Sequence, residues 1–290
     1  MATEGQVFDL GYRRYDGPRL GRVATTLAVV RDGVRRVLGL RRRARRKVLP
    51  WSLIVVAFMP SIVFLAFALI AGELVEGEIF GHDTYFDLTQ RISLLFVALA
   101  AGELLVPDRT YGTLQVYSSR PVSADEYLAA RFGAMGAAVA VIMLVPQVFL
   151  FVGSGLLASD GFLNHVSSEW TVLPQVLAVT SVYLLAHGPP ALAIASITPR
   201  ASVAAAVFAG VMLLSSGITT GLVDEAGVSA AGLAAFEQHP RYVAEWIFGS
   251  HNHVWIPQRA GYDPWVSLAV IGGVAVVCVL FLRARYRSLL

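Results

Sequence analysis

Residues 102–132 read GELLVPDRTYGTLQVYSSRPVSADEYLAARF. Apolar runs flank this stretch on both sides, yet it carries charges, two prolines and a helix-start signal. Ser123-Ala124-Asp125-Glu126 fits a capping box, with Ser123 at the N-cap and Glu126 three residues on. A helix is therefore expected to begin near Ala124 and to run straight into the following apolar run. Pro107 is expected to close or break the preceding helix. Pro121 pushes Arg120 toward an extended conformation. The piece between, from about Gly112 to Ser119, has room for about two helical turns. A short, stiff helix hung between two apolar segments is the predicted result.

The rest of the chain explains what that helix is hung from. Of 290 residues, 56% are hydrophobic and only 15% charged, against about 25% charged in soluble domains. The charge is missing from long continuous runs, which is the pattern of lipid solvation. Crossing a bilayer takes about 20 mostly apolar helical residues. Six segments qualify: 49–71, 90–106, 133–157, 171–197, 201–222 and 264–282. The fold class is thus all-α integral membrane. A basic N-terminal segment (1–48) precedes a six-span domain (49–282), and a basic tail (283–290) follows. His187-Gly188-Pro189-Pro190 is expected to kink or break the fourth span. Cys278 is the single cysteine, so no internal disulfide can form.

Basic residues orient the spans. Segments 1–48, 107–132, 198–200 and 283–290 hold 20 of the 23 Lys/Arg, whereas the alternate loops 72–89, 158–170 and 223–263 hold two. Both termini and the opening stretch are expected in the cytoplasm, in a multi-pass protein of the cell membrane. Within 18–40, Leu20, Val23, Leu27, Val30, Val34 and Val37 recur at helical steps, with Arg22, Arg31, Arg35 and Arg36 largely off that stripe. RRRARRK (41–47) follows. A basic amphipathic helix beside a span is expected to lie along the membrane interface, against anionic lipid rather than nucleic acid.

The run Asp108-Arg109-x-x-Gly112-Thr113-Leu114, then Ser119-Arg120-Pro121-Val122-Ser123-x-x-x-Tyr127-Leu128-x-x-Arg131, resembles the first cytoplasmic loop of type-2 ABC exporter permeases. Thr110-Tyr111, and arginine at 131 in place of the usual lysine, depart from that pattern. The resemblance implies a transmembrane subunit that pairs with a second permease copy, as homo- or heterodimer, and couples to two separate ABC ATPase subunits. It implies that this loop is a coupling helix contacting the ATPase through Asp108, Arg109, Gly112, Thr113, Leu114, Arg120 and Pro121. Gly112 is read as permitting close approach of another backbone. ATP and Mg would then be bound by the partner. The chain has one lysine, Lys47, followed by Val48, so no Walker-type phosphate loop exists here. No enzymatic activity and no cofactor are expected of this chain.

Polar residues inside spans usually face protein or water. Glu103, Gln147, Gln175, His187, Ser215 and Thr219 are the candidate pathway residues, with Ser216 and Thr220 beside the last two. Glu103 is expected near the inner interface. Gln147 and Gln175, each following a proline, are expected to satisfy carbonyls freed by Pro146 and Pro174. The outer segment 223–263 is rich in aromatics, which suggests an interfacial belt or re-entrant helices. His251-x-His253, with His239 nearby, lacks an acidic or cysteine cluster spaced to complete a metal site, so no metal is expected. A non-transporting scaffold or sensor shares this topology but leaves the Gly-Thr-Leu loop without a role. An intramembrane enzyme would need a convergent acid, base or metal cluster. The apolar spans favour a lipid-like, amphiphilic or drug-like cargo.

Overall fold

The computed structural model describes residues 21–40, 44–71, 81–118 and 122–289. The arginine run at 41–43, the acidic residues Glu73, Glu76 and Glu78, and the turn residues Arg120 and Pro121 lie outside them. Every regular element among the described residues is helical. The elements are α1 (Arg22–Val37), α2 (Arg45–Ala71), α3 (His82–Thr110), α4 (Thr113–Ser118) and α5 (Ala124–Val139). They continue with α6 (Val145–Leu157), α7 (Phe162–Ser168), α8 (Val172–Ile197), α9 (Ala201–Asp224), α10 (His239–Phe248), α11 (Ile256–Arg259) and α12 (Pro264–Arg287). A π-helical turn at Ala140–Leu144 joins α5 to α6 without a break. Six helical segments are long and apolar enough to cross a membrane: Lys47–Ile70, His82–Thr110, Ala124–Leu157, Val172–Ile197, Ala201–Asp224 and Pro264–Arg287. That is the pattern of a multi-pass membrane protein.

α3 is the central strut. In its apolar window 72% of residues are buried, against 22% for α2, α9 and α12. It packs on α2, α5, α8 and α9. Small residues allow this: Ala98, Ala100, Ala101 and Gly102 form much of its buried surface, and small side chains let helix backbones approach closely. Gly102 is the tightest case, because a Cβ there would lie 2.8 Å from the Ala201 carbonyl oxygen at the start of α9.

Three boundary expectations are corrected. The second span begins at His82 rather than residue 90, because the polar residues of its first turns have partners on other elements. Gln90 accepts from the Tyr183 hydroxyl (3.1 Å), Arg91 faces Glu237 (3.6 Å) and Asp83 accepts from Asn252 (2.8 Å). Pro107 does not end α3, which runs on to Thr110. In the last turn a proline removes one backbone bond, and Asp108 and Arg109 are tied to neighbouring helices. α8 is likewise unbroken through Pro189 and Pro190; both are buried, and packing supports the segment from several sides.

Polar side chains close the joints around Pro146. That proline cannot donate to the Ile142 carbonyl. The Tyr85 hydroxyl lies 3.4 Å from that oxygen and 2.9 Å from Ala57 O, while Ser61 Oγ donates to Pro146 O at 3.2 Å. Residues 223–263 fold into a helical cap. A 3₁₀ turn (Ser229–Ala234), α10 and α11 precede α12, and α10 buries His239, Arg241, Val243 and Glu245 against the bundle.

Gly102→Val should force α3 away from α9. We expect a stability loss of about 1–3 kcal/mol, read as a lower unfolding midpoint in detergent. Gly210→Ala, where a Cβ meets nothing within 4 Å, should leave that midpoint unchanged or raise it slightly.

Candidate functional site

The predicted capping box is present: Ser123 Oγ accepts from the Glu126 N–H at 3.2 Å, and Glu126 accepts from the Ser123 N–H at 2.8 Å. It starts α5 and so fixes the register of Tyr127 and Arg131, one and two turns further on. Both side chains point back at the end of α3.

There the Asp108 carboxylate is fully buried. Oδ1 accepts from Arg36 Nη1 of α1 (2.7 Å) and from Thr113 Oγ1 of α4 (2.9 Å). Oδ2 accepts from the Tyr127 hydroxyl (2.7 Å) and from Arg131 Nη2, both on α5. Four donors match the carboxylate's roughly four lone-pair directions. Asp32 completes the charge balance, 2.7 Å from Arg36 Nε and 3.5 Å from Arg131 Nη1. Two carboxylates thus face two guanidiniums, and the cluster is neutral. Burial opposes the charge on Arg36, but the Asp108 hydrogen bond and field more than offset it, so its pKa lies above the ordinary value. Arg131 also rests over the Tyr127 ring (5.2 Å), which stacks on Tyr286 of α12 at 5.4 Å.

The neighbouring Arg109 reaches the other way. Its Nη2 donates to Ala195 O (2.7 Å) and to Thr198 O, and Arg285 Nε donates to Ser196 O (3.0 Å). These are carbonyls at the C-terminal end of α8, where unpaired acceptors and the helix dipole favour cations. Asp108 and Arg109 therefore face inward, to neighbouring helices, rather than outward as contact residues. Leu114 is buried as well. Between Pro107 and Gln115 the exposed residues are Thr110, Tyr111 and Gly112 at the tip, together with Gln115. Gly112 has φ +69 with nothing within 4 Å of a Cβ position. The turn into α4 needs glycine for its left-handed backbone, and no backbone among the described residues crowds it. The short helix is present as α4, but its first end is this glycine turn instead of a proline turn.

Beside the tip lies an open pocket of about 580 Å³, lined by Arg36, Glu103, Pro107, Tyr111 and Arg200 among others. Glu103 is the one predicted pathway residue there; the rest are dispersed. Gln147 donates to His82 O at 2.9 Å and contacts the His82 ring, so it staples α6 to α3 instead of serving Pro146. Gln175 donates to Ile247 O at 2.9 Å, closing the end of α10 and not a carbonyl freed by Pro174. His187 is buried between Tyr183 and Phe208, and its Nε2 has no hydrogen-bond partner among the described residues. Ser215, Thr219 and Thr220 bond to carbonyls of their own helix, while Ser216 Oγ accepts from Gln238 (2.6 Å).

At the opposite end His253 meets two acidic groups, Asp87 Oδ2 (3.0 Å) and Glu245 Oε1 (3.1 Å). Glu245, on α10, is only eight positions from His253, but Asp87 comes from α3, far away in sequence, so the acidic pair that the sequence spacing did not offer is brought together by folding. His239 is elsewhere, bonded to Ser267 Oγ (2.9 Å) and Leu233 O (3.2 Å). Burial holds its pKa below the usual histidine value.

The sequence reading missed the joint role of Asp32, Arg36, Tyr127 and Arg131. Asp32 and Arg36 are spaced i, i+4 on α1, a pairing signal, but nothing local points them at residue 108. Compared with protein-family models and with curated proteins, the chain has no match.

Asp108→Ala should leave the buried Arg131 without its closest carboxylate and with the longer Asp32 contact at 3.5 Å, which Arg36 shares. The expected cost is about 3–5 kcal/mol, read by denaturant unfolding in detergent. The pair Asp108→Leu with Arg131→Met removes both charges and should cost less than the sum of the two single changes, because Arg36 keeps Asp32.

Proposed function

We propose that this chain is the transmembrane permease subunit of an ATP-driven ABC exporter, moving substrate as a separate ATPase subunit hydrolyses ATP. The observation that carries this reading is the Tyr111–Gly112 tip. It is exposed, yet the residue three before Gly112 and the residue after it are bonded to buried partners: Arg109 to the end of α8 and Thr113 to Asp108. A push on the tip is thereby delivered to α1, α3, α5 and α8 together. The contact surface is Tyr111, Gly112 and Gln115; Asp108, Arg109, Thr113 and Leu114 hold the lever. Arg120 and Pro121, also expected to contact the ATPase, follow α4 in sequence and lie outside the described residues.

The two basic termini and this tip lie in the cytoplasm, on the strength of the Lys/Arg distribution. Val23 and Leu27 of α1 are exposed, whereas Val29 and Val37 are buried against the bundle. The exposed pair, with Arg22 and Arg31, suits α1 to rest on the lipid interface. The apolar outer faces of α2 and α9 are available to a second permease copy or to lipid. Glu103 and the pocket beside the tip form the cytoplasmic mouth of the pathway.

The test uses the chain with Cys278→Ala and one new cysteine at Tyr111 or Gln115, in native membranes. A thiol-directed photocrosslinker should capture an ATPase carrying a Walker motif. Gly112→Val, which forces a β-branched residue to positive φ, should keep the bundle folded while uncoupling ATP hydrolysis from transport. Labelling of Tyr111→Cys from the side opposite the termini would overturn the reading.

A further inference from the structure

The end of the bundle away from α4 carries charged groups that the transport reading does not use. Asp87 lies in the second turn of α3, Glu245 in α10, and His253 in the segment joining α10 to α11. One ligand atom from each lies within 4.8 Å of the other two. His253 Nδ1 is 3.0 Å from Asp87 Oδ2 and 3.1 Å from Glu245 Oε1. We propose that Asp87, Glu245 and His253 bind one divalent first-row metal ion, pinning the α10–α11 segment to the first turns of α3.

Geometry and surroundings support this. Metal–ligand bonds of about 2.0–2.2 Å in a tetrahedral site put neighbouring ligand atoms about 3.3–3.5 Å apart. The two histidine–carboxylate separations need to open by only a few tenths of an ångström. One imidazole nitrogen and two carboxylate oxygens form a donor set that suits zinc and its first-row neighbours better than magnesium, which prefers oxygen and water. Three protein ligands leave a fourth position for water. His253 is half exposed while Glu245 is nearly buried, so an ion has a way in and a low-dielectric floor beneath it.

Charge balance points the same way. The nearest cations are already engaged: Arg241 Nη2 donates to Glu237 (2.6 Å), and Arg91 faces the same carboxylate at 3.6 Å. Asp83 accepts from Asn252 and adds negative field. Two carboxylates therefore converge on one histidine; Arg241, over the Trp255 ring at 5.1 Å, pairs with Glu237, and no guanidinium among the described residues forms an ion pair with Asp87 or Glu245. Trp255 gives a second, independent indication. Its indole N–H is buried and closes no hydrogen bond of ordinary geometry among the described residues, yet it acts on the Glu245 carboxylate. Its ring lies 5.1 Å from that of His253. A donor beside a ligating carboxylate and a ring that fixes the histidine are the outer partners such a site uses. Without metal, the same trio is a histidine Nδ1 lying between two carboxylates. The two states differ in their response to zinc.

The experiment uses full-length protein in detergent, freed of any histidine tag and treated with chelator. Zinc is titrated by calorimetry, and the unfolding midpoint is followed against zinc concentration. We expect one site per chain and a midpoint that rises with zinc, since an ion that binds only the folded state stabilises it. Magnesium at equal concentration should give no rise. His253→Gln and Glu245→Gln should each weaken zinc binding more than tenfold, whereas His251→Gln, altering a histidine outside the trio, should leave it unchanged. Cobalt should give a visible d–d spectrum in the parent protein that His253→Gln removes. Absence of saturable zinc binding by the folded protein would overturn the proposal. So would binding that survives His253→Gln, or that is lost equally in His251→Gln. None of these readouts requires transport or an ATPase, so the result stands apart from the exporter reading.

Discussion

A single buried carboxylate organises one whole end of this protein. Asp108 sits at the end of the most buried helix and accepts from donors on three other elements, α1, α4 and α5. An ionised carboxylate away from water is costly unless its oxygens are fully bonded and its charge is matched. Here both conditions hold, and they hold only when all four elements are in place together. The hub therefore acts less as a source of stability than as a condition on geometry. α1 cannot slide along α5, and α4 cannot swing, without stranding a charge. The cluster is satisfied only in one arrangement of α1, α4 and α5 around the end of α3.

The far end is built on the same logic with different parts. The first two turns of α3 look too polar for a membrane helix, and they are helical because other elements supply partners. The turn before α10 brings Glu237, α10 brings Arg241 and Glu245, and the segment after it brings Asn252 and His253. Gln147 and Gln175 tie helix ends together rather than lining a path. α3 thus runs from one polar cluster to another, its apolar middle packed on small residues.

Much of the architecture was readable in the order of residues. Six apolar runs, the Ser123–Glu126 capping box, the helical period of α1 and the short α4 all depend on local composition and spacing, and the structure contains each of them. Expectations about prolines fared worse. Pro107 suggested an end or a break, and Pro189 and Pro190 a kink or a break, yet both helices run on uninterrupted, because neighbouring helices hold the chain where local bonding is lost. The start of α3 was set eight residues late for a related reason: hydropathy counts Asp83, Asp87, Gln90 and Arg91 as polar without knowing that each has a partner.

Sequence by itself determined the all-helical class, the count of spans and the asymmetric placement of basic residues, since these follow from bilayer thickness, helical rise and charge. It also located the punctuated segment after the second span. Tertiary structure alone decided what that segment's residues do. Asp108 and Arg109 could as well have faced a partner protein; they turn inward because Arg36, Tyr127, Arg131 and the end of α8 converge on them from up to 89 residues away. The trio of Asp87, Glu245 and His253 was likewise invisible in one dimension, with its first two members more than 150 positions apart. Side-chain direction and long-range pairing are products of packing, and no local pattern encodes them.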